Sequence, residues 1–288
     1  MNNKLNILVT GANGQLGNEC RTLAAARTDA NFIFTDIAEL SITDEAAINE
    51  MFSKNNFDYC INAAAYTAVD AAENDIEMSR AINATAVGYL AKACNKYNCK
   101  LIHVSTDYVF DGENEFGYKE EDATAPINVY GITKLEGEQL AFENNAQTIV
   151  IRTSWVYSFH GKNFVKTMMR LMQEKEEINV VSDQIGKPTY AADLAGAIFN
   201  IIFSSSTFLP GIYNYSNQGV ISWFDFATAI KEIGGYACNV NPIPSSAYPV
   251  PAKRPHYSIL LTDKIETTYN INIPHWKDSL EKCMQLLK

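Results

Sequence analysis

Tyr130 and Lys134 stand four residues apart in Tyr-Gly-Ile-Thr-Lys, a spacing that puts a phenol and an amine on one face of a helix. A cation beside a phenol favours the phenolate, and a phenol tuned this way exchanges protons with an alcohol or a ketone. The same amine can hydrogen-bond a cofactor ribose. Upstream, Thr106 ends the stretch Val104-Ser105-Thr106. Its hydroxyl can hold a substrate carbonyl between a hydride donor and a proton donor. Taken singly, Tyr-x-x-x-Lys is an ordinary exposed helix face, and Thr106 is an ordinary hydroxyl bonded to nearby backbone. What sets them apart is their order along the chain, behind a glycine-rich turn.

That turn is Thr10-Gly11-Ala12-Asn13-Gly14-Gln15-Leu16-Gly17. Gly11 allows a tight turn, Gly14 lets backbone N–H groups approach a pyrophosphate, and Gly17 lets the following helix pack closely on a sheet. Asp36 falls at the end of the next strand-like run, where a carboxylate accepts hydrogen bonds from an adenosine ribose. Its charge would repel a 2′-phosphate, so it is expected to bias the site towards NADH. Ser41 and Ile42, just beyond, are placed to border the adenine. Ala63, Ala64 and Ala65 follow a third run, small enough for a dinucleotide to lie against the backbone. Trp155 follows a fifth, where an indole either covers a sugar or base or fills the core. Together these residues predict an oxidoreductase that works a carbonyl/carbinol pair with NADPH or NADH.

The elements that must hold them alternate. Leu5–Thr10 precedes a helical stretch Gln15–Arg27, Phe32–Thr35 precedes Asp44–Ser53, and Tyr59–Asn62 precedes Met78–Lys96. Leu101–Ser105 then precedes Val129–Glu143, and Thr148–Ile151 precedes Phe164–Gln173. Five strand-then-helix units predict the α/β class: a Rossmann-type, doubly wound parallel sheet with helices on both faces. After Asp183 the rhythm breaks, with prolines at 188, 210, 242, 244, 249, 251, 255 and 274. Residues 1–183 are therefore assigned to the dinucleotide-binding domain. Residues 184–210 are expected to pack back on it through a helix near 191–202, and 211–288 to form mainly a smaller, partly discontinuous substrate-binding lobe.

The chain of 288 residues, 47% hydrophobic, suffices for one large domain and such a lobe. A net charge of −10 argues against broad phosphate neutralisation, so no nucleic-acid partner is expected. No apolar run reaches the ~18 residues of a membrane span, and no signal-peptide pattern opens the chain, so the expected location is the cytoplasm. The six cysteines, at 20, 60, 94, 99, 238 and 283, lack a Cys-x-x-Cys pair and read as reduced, buried thiols. No metal is expected. His103 and His160 read as satisfied polar groups, and Arg152 and Arg254 either pair with a diphosphate or form structural ion pairs.

The stretches TGANGQLG (10–17), NAAAYTAVDAAE (62–73), HVSTDYVFDG (103–112), PINVYGITKLEGE (126–138), RTSWVY (152–157), GKPTYAADLA (186–195) and SSAYPVPAKRP (245–255) resemble the extended short-chain dehydrogenase/reductases. Among these the pattern is most similar to the dTDP-4-dehydrorhamnose reductases, over nearly the whole chain. The resemblance implies NAD(P)H-dependent reduction of the C4 ketone of a dTDP-linked deoxyhexose, in the making of dTDP-rhamnose for cell-surface polysaccharide. It places Thr106, Tyr130 and Lys134 at the catalytic positions, and Thr106, Asp107 and Trp155 at substrate positions. It also sets Gly14, Gln15, Leu16, Asp36, Ser41, Ile42, Ala65, Tyr66, Thr67 and Val104 at the cofactor, beside Gly11, Asn13, Gly17, Ala63 and Ala64. A homodimer is compatible with it. Two other readings compete: a related nucleotide-sugar epimerase or dehydratase that keeps its NAD bound, and a non-catalytic dinucleotide-binding subunit.

Overall fold

The computed structural model describes residues 4–204 and 207–287. Its centre is a sheet of six parallel strands among the described residues: β1 (Leu5–Thr10), β2 (Ala30–Thr35), β3 (Tyr59–Asn62), β4 (Lys100–Thr106), β5 (Thr148–Thr153) and an edge strand, Gly211–Tyr215. The edge strand lies beside β5, followed by β4, β3, β1 and β2. The chain leaves β1 in one direction to form β2 and returns to the other side to form β3. A crevice therefore opens at the carboxyl ends of β1 and β3, where ligands bind in such sheets.

Each buried strand feeds both faces, because successive side chains point opposite ways. From β1, Ile7 and Val9 join a core with Leu16, Leu194, Ile198 and Ile265, whereas Leu8 joins another with Ile48, Phe52, Leu90 and Ala141. The first core is covered by helices Gln15–Ala24, Ala191–Phe203 and Asp263–Tyr269, and the second by Glu45–Lys54, Ala86–Lys96 and Val129–Asn144. All six cysteines are free and buried.

A third core forms the small lobe. It gathers Tyr157, Val165, Met172, Val180, Tyr190, Phe226, Ile230 and Leu280. The strand Glu177–Val181 pairs there with Asn239–Ile243. This third core thus draws on residues both before and after 183. The helix Phe164–Glu174 was expected as the fifth sheet-covering helix. It carries Val165, Met168 and Met172 into the small lobe instead. Conversely, Gly211–Tyr215 completes the large sheet, and Ile265 and Tyr269 pack on its first core. Apolar faces, not sequence position, decide which body each segment joins.

Candidate active site

The glycine turn is built for close approach. Gly11 has φ +67°, and a Cβ there would lie 2.6 Å from the backbone nitrogen of Ala64. Only glycine lets the β1 turn meet the β3 loop across the crevice. Gly17 is pressed against the backbone of Gly11 and Ala12 in the same way. The helix that starts at Gln15 has no side-chain cap and no acid in its first turn. Asp44, Asn128, Asn163 and Ser222, by contrast, each cap their own helix. An uncapped N-terminus at the switch point leaves N–H donors for an anion, so the residues present fit a dinucleotide pyrophosphate.

Asp36 reaches the same turn. Its carboxylate accepts from the Asn13 N–H at 2.9 Å and from the Ile37 N–H at 2.9 Å. Gln15 faces the small lobe, where its amide donates to the Val156 carbonyl at 3.4 Å and accepts from Asn163 at 2.9 Å. Leu16 is core. Ile42 is buried in the second core and the Ser41 hydroxyl pairs with Thr43, so neither is held to the glycine turn by a contact of its own. Beyond β3, the Tyr66 backbone is clamped by Asn83, which accepts from its N–H at 2.8 Å and donates to its carbonyl at 3.1 Å. Thr67 follows in the same loop, its carbonyl accepting from the Val69 N–H at 2.9 Å. Asn83 sits in a π-helical turn, Ala81–Thr85, that interrupts an otherwise α-helical stretch. Such single turns gather at functional sites. Nothing in the sequence marks this one.

Lys134 is 1% exposed and its ammonium nitrogen donates to the Val104 carbonyl at 2.7 Å. Burial brings its pKa down to about 8, opposed by the Glu138 carboxylate one turn along. Tyr130 behaves differently from the sequence expectation. Burial pushes its phenol up to about 12, the Thr106 hydroxyl offsets part of this, and Asp107 adds to it. Lys134 does not outweigh burial here. Thr106 donates to Asp107 at 3.0 Å and accepts from the Tyr108 N–H at 3.2 Å. Asp107, 3% exposed, has its carboxyl raised to about 7 by burial, against the pull of Thr106 and of Ser258 nearby. Its Oδ2 makes no well-formed hydrogen bond.

Ser258 brings in the small lobe. A Cβ on Gly186 would lie 2.6 Å from the Ser258 hydroxyl and 2.8 Å from the indole of Trp155. Gly186 and Ser258 belong to a three-stranded patch formed by Ile185–Gly186, Ile221–Ser222 and Tyr257–Ser258. Trp155 itself stands at φ +48°, a strained conformation for a bulky side chain. Its ring stacks on Trp223 with centroids 3.6 Å apart and planes 13° apart. The contacts run without a break from Trp155 through Gly186, Ser258, Asp107 and Thr106 to Tyr130. Gly186 and Ser258 lie in two-residue strands, which have no periodicity to read, and Trp223 opens the helix Trp223–Gly234 with nothing in its sequence that ties it to Trp155.

Arg152 and Arg254 each form an ion pair in this structure. Arg152 is 2% exposed and forks onto Glu138, with Nη2 to Oε2 at 2.7 Å. Arg254 forks onto Asp70 at 2.9 and 2.7 Å, joining the loop after β3 to the small lobe. Among the described residues no cluster of three His, Cys, Asp or Glu is placed to hold a metal. Among the described residues no helix is long and apolar enough to cross a membrane.

A glycine turn at the switch point, with a Tyr/Lys helix and a hydroxyl at the end of β4 beside it, defines a Rossmann-type oxidoreductase of the short-chain dehydrogenase/reductase kind. Comparison with known proteins narrows this. A sequence model described as "RmlD substrate binding domain" matches residues 5–288. A dTDP-4-dehydrorhamnose reductase of Burkholderia thailandensis is 38% identical over 295 residues, covering 98% of each chain. SpsK of Bacillus subtilis, a spore coat polysaccharide biosynthesis protein, is 39% identical over 280 residues, covering 97% of this chain and 96% of SpsK. The crystal structure of a Clostridium acetobutylicum dTDP-4-dehydrorhamnose reductase superposes with a TM-score of 0.95 at 38% identity, covering 98% of this chain and 99% of that one. The Bacillus anthracis enzyme, in complex with NADP, gives a TM-score of 0.93 at 38% identity with the same coverage. The chain belongs to the dTDP-4-dehydrorhamnose reductase family.

Proposed function

We propose that this protein reduces the C4 ketone of dTDP-4-dehydro-L-rhamnose to give dTDP-L-rhamnose, in the cytoplasm, with NADPH or NADH. The observation that carries the reading is the convergence of Thr106, Asp107, Tyr130 and Lys134 at the carboxyl end of β4, next to the uncapped glycine-turn helix. The reduced nicotinamide supplies the hydride when bound. The glycine turn and the helix start at Gln15 would hold the pyrophosphate, and Asp36 would accept from the adenosine ribose.

The proton comes from Tyr130. A phenol raised to about 12 carries its proton at neutral pH, so Tyr130 is in the form that can donate it, while burial makes that donation harder until an alkoxide develops beside it. Thr106 orients the ketone. Its hydrogen is engaged by Asp107 when that carboxyl is ionised. When Asp107 is protonated, the carboxyl can donate to the Thr106 oxygen, freeing the Thr106 hydrogen for the ketone. A carboxyl that titrates near 7 makes both arrangements accessible. Trp155, held by its stack on Trp223, covers the sugar.

The test is NADPH and NADH oxidation with dTDP-4-dehydro-L-rhamnose, followed by identification of the sugar. The reading expects stoichiometric cofactor oxidation and dTDP-L-rhamnose. The C4-epimeric alcohol with stoichiometric cofactor oxidation would mean a reductase of the opposite stereochemistry, and no net cofactor oxidation with tightly held NAD would turn the reading to an epimerase or dehydratase.

A further inference from the structure

Behind Lys134 lies a chain of buried polar groups that the reaction above does not use. His103 on β4 is fully buried, with Nδ1 3.0 Å from the Asn62 amide nitrogen and Nε2 3.4 Å from the Lys134 nitrogen. Asn62, at the end of β3, is also fully buried. Its Oδ1 accepts from the Thr10 hydroxyl at 2.7 Å and from the Ala64 N–H at 3.2 Å.

The backbone N–H of Ala64 can only donate, so the Asn62 atom facing it must be the oxygen. The other atom is then the NH₂ group, which donates to His103 Nδ1. A nitrogen that accepts a hydrogen bond carries no hydrogen. Burial and the neighbouring Lys134 hold the imidazole pKa far below its ordinary value, so the ring is neutral and has one N–H. That hydrogen must be on Nε2, where it points at Lys134.

We infer that His103 is a positioning residue for Lys134: Asn62 fixes the ring tautomer with its hydrogen on Nε2, and that N–H meets the Lys134 nitrogen as a donor, supporting the neutral amine against the ammonium. The Lys134 nitrogen then sits between one donor, His103, and one acceptor, the Val104 carbonyl. A neutral amine satisfies both contacts, whereas an ammonium satisfies only the carbonyl. The sequence reading of His103 as a satisfied polar core group is half of the account: it is satisfied on the Asn62 side and directed at Lys134 on the other.

The charged groups around Lys134 act in the opposite sense. Glu138 on the same helix favours the ammonium, but its carboxylate is forked by Arg152 from β5 and accepts from the Ser105 hydroxyl of β4. Tyr130, also on that helix, is neutral below about 12. From β1 and β3 come only the uncharged Thr10 and Asn62. His103 is thus the titratable side chain that meets the lysine nitrogen directly, across from the Val104 carbonyl.

The inference rests on Lys134 serving the proposed reduction, but its first test needs no substrate. In the intact protein, nitrogen-15 NMR of the imidazoles is expected to show His103 neutral with the hydrogen on Nε2. A hydrogen on Nδ1, or a charged ring near pH 7, would overturn it. Asn62→Asp replaces the donor with an acceptor. It should invert the tautomer and raise the pKa of Lys134, through the lost Nε2 donor together with the added carboxylate, so that the alkaline limb expected of kcat/KM from Lys134 deprotonation moves up by about one pH unit. An inverted tautomer with an unmoved pH profile would overturn the link to Lys134. If that variant does not fold, the parent spectrum between about pH 7 and about pH 10 decides. The Nε2 resonance should shift as Lys134 loses its proton, and a flat resonance would contradict the contact.

Discussion

The indoles of Trp155 and Trp223 lie face to face, centroids 3.6 Å apart, with Trp155 at φ +48° and no room at Gly186 for a side chain behind it. A bulky residue persists in the left-handed region only where its surroundings over-determine it, at a cost of about 1–3 kcal/mol. The stack with Trp223 is such a constraint, and it fixes the ring proposed to cover the sugar.

Removing the supporting ring should therefore affect the sugar and spare the cofactor. Trp223→Ala is expected to raise KM for the nucleotide sugar by about tenfold, equivalent to about 1.4 kcal/mol of lost binding. NADPH affinity should stay within about twofold. Titration calorimetry with each ligand separates the two. Equal losses for both ligands would mean that the pair stabilises the lobe rather than the sugar site.

Asp107 makes stability depend on pH in an unusual direction for a carboxylate. Its folded-state pKa is raised to about 7, so its contribution is fully favourable below the unfolded value and is lost as pH rises through about 7. Asp107→Asn cannot ionise. Relative to the parent it should gain on the order of 2–4 kcal/mol of stability at alkaline pH, and little under acid conditions. Denaturant unfolding at about pH 5 and about pH 8 checks this. A gain that is the same at both would remove the raised carboxyl from the account.

Arg152 is the contrary case, a buried charge with its partner in place. Arg152→Met leaves the buried Glu138 carboxylate without its cation, held only by the Ser105 hydroxyl between β4, β5 and the Tyr130 helix, a loss of about 3–5 kcal/mol. The corresponding double variant, Arg152→Met with Glu138→Leu, should recover most of it. Failure of the double variant to recover would mean that the fork onto the Glu120 carbonyl, at 3.2 Å, matters more than the ion pair.

Asp36 now has two duties to weigh against each other. It binds the Asn13 and Ile37 N–H groups, so Asp36→Ala should weaken NADH binding by loosening the turn as well as by losing the proposed ribose contact. Loss of its charge should still move the ratio of kcat/KM values towards NADPH, by about tenfold. An unchanged ratio would confine Asp36 to the turn.

The periodic part of this protein could be read in advance. Strand runs such as Leu5–Thr10 and Thr148–Ile151 sit where expected because buried parallel strands are continuous apolar runs, and the Tyr130/Lys134 spacing falls on one real helix. The misplaced features depended on three-dimensional burial. The phenol of Tyr130 was expected to be lowered by Lys134, yet desolvation of both groups decides its pKa. Arg152 gives no local sign that Glu138, fourteen residues earlier in the chain, would claim it. Asn62 and His103 are single polar residues inside apolar strands, and only the register that sets Asn62 opposite His103 makes them a pair. The small-lobe contribution, through Gly186 and Ser258, rests on strands of two residues each.

The proton-transfer assignment is the centre of the account, and Tyr130→Phe removes one oxygen and little else. The decisive measurement is single-turnover hydride transfer from NADPH to dTDP-4-dehydro-L-rhamnose in this variant and in the parent, with folding and cofactor binding checked on the same samples. The account predicts intact NADPH binding and a rate at least ~100-fold lower, the lower range for losing a positioned general acid. A rate within a few-fold of the parent would contradict it.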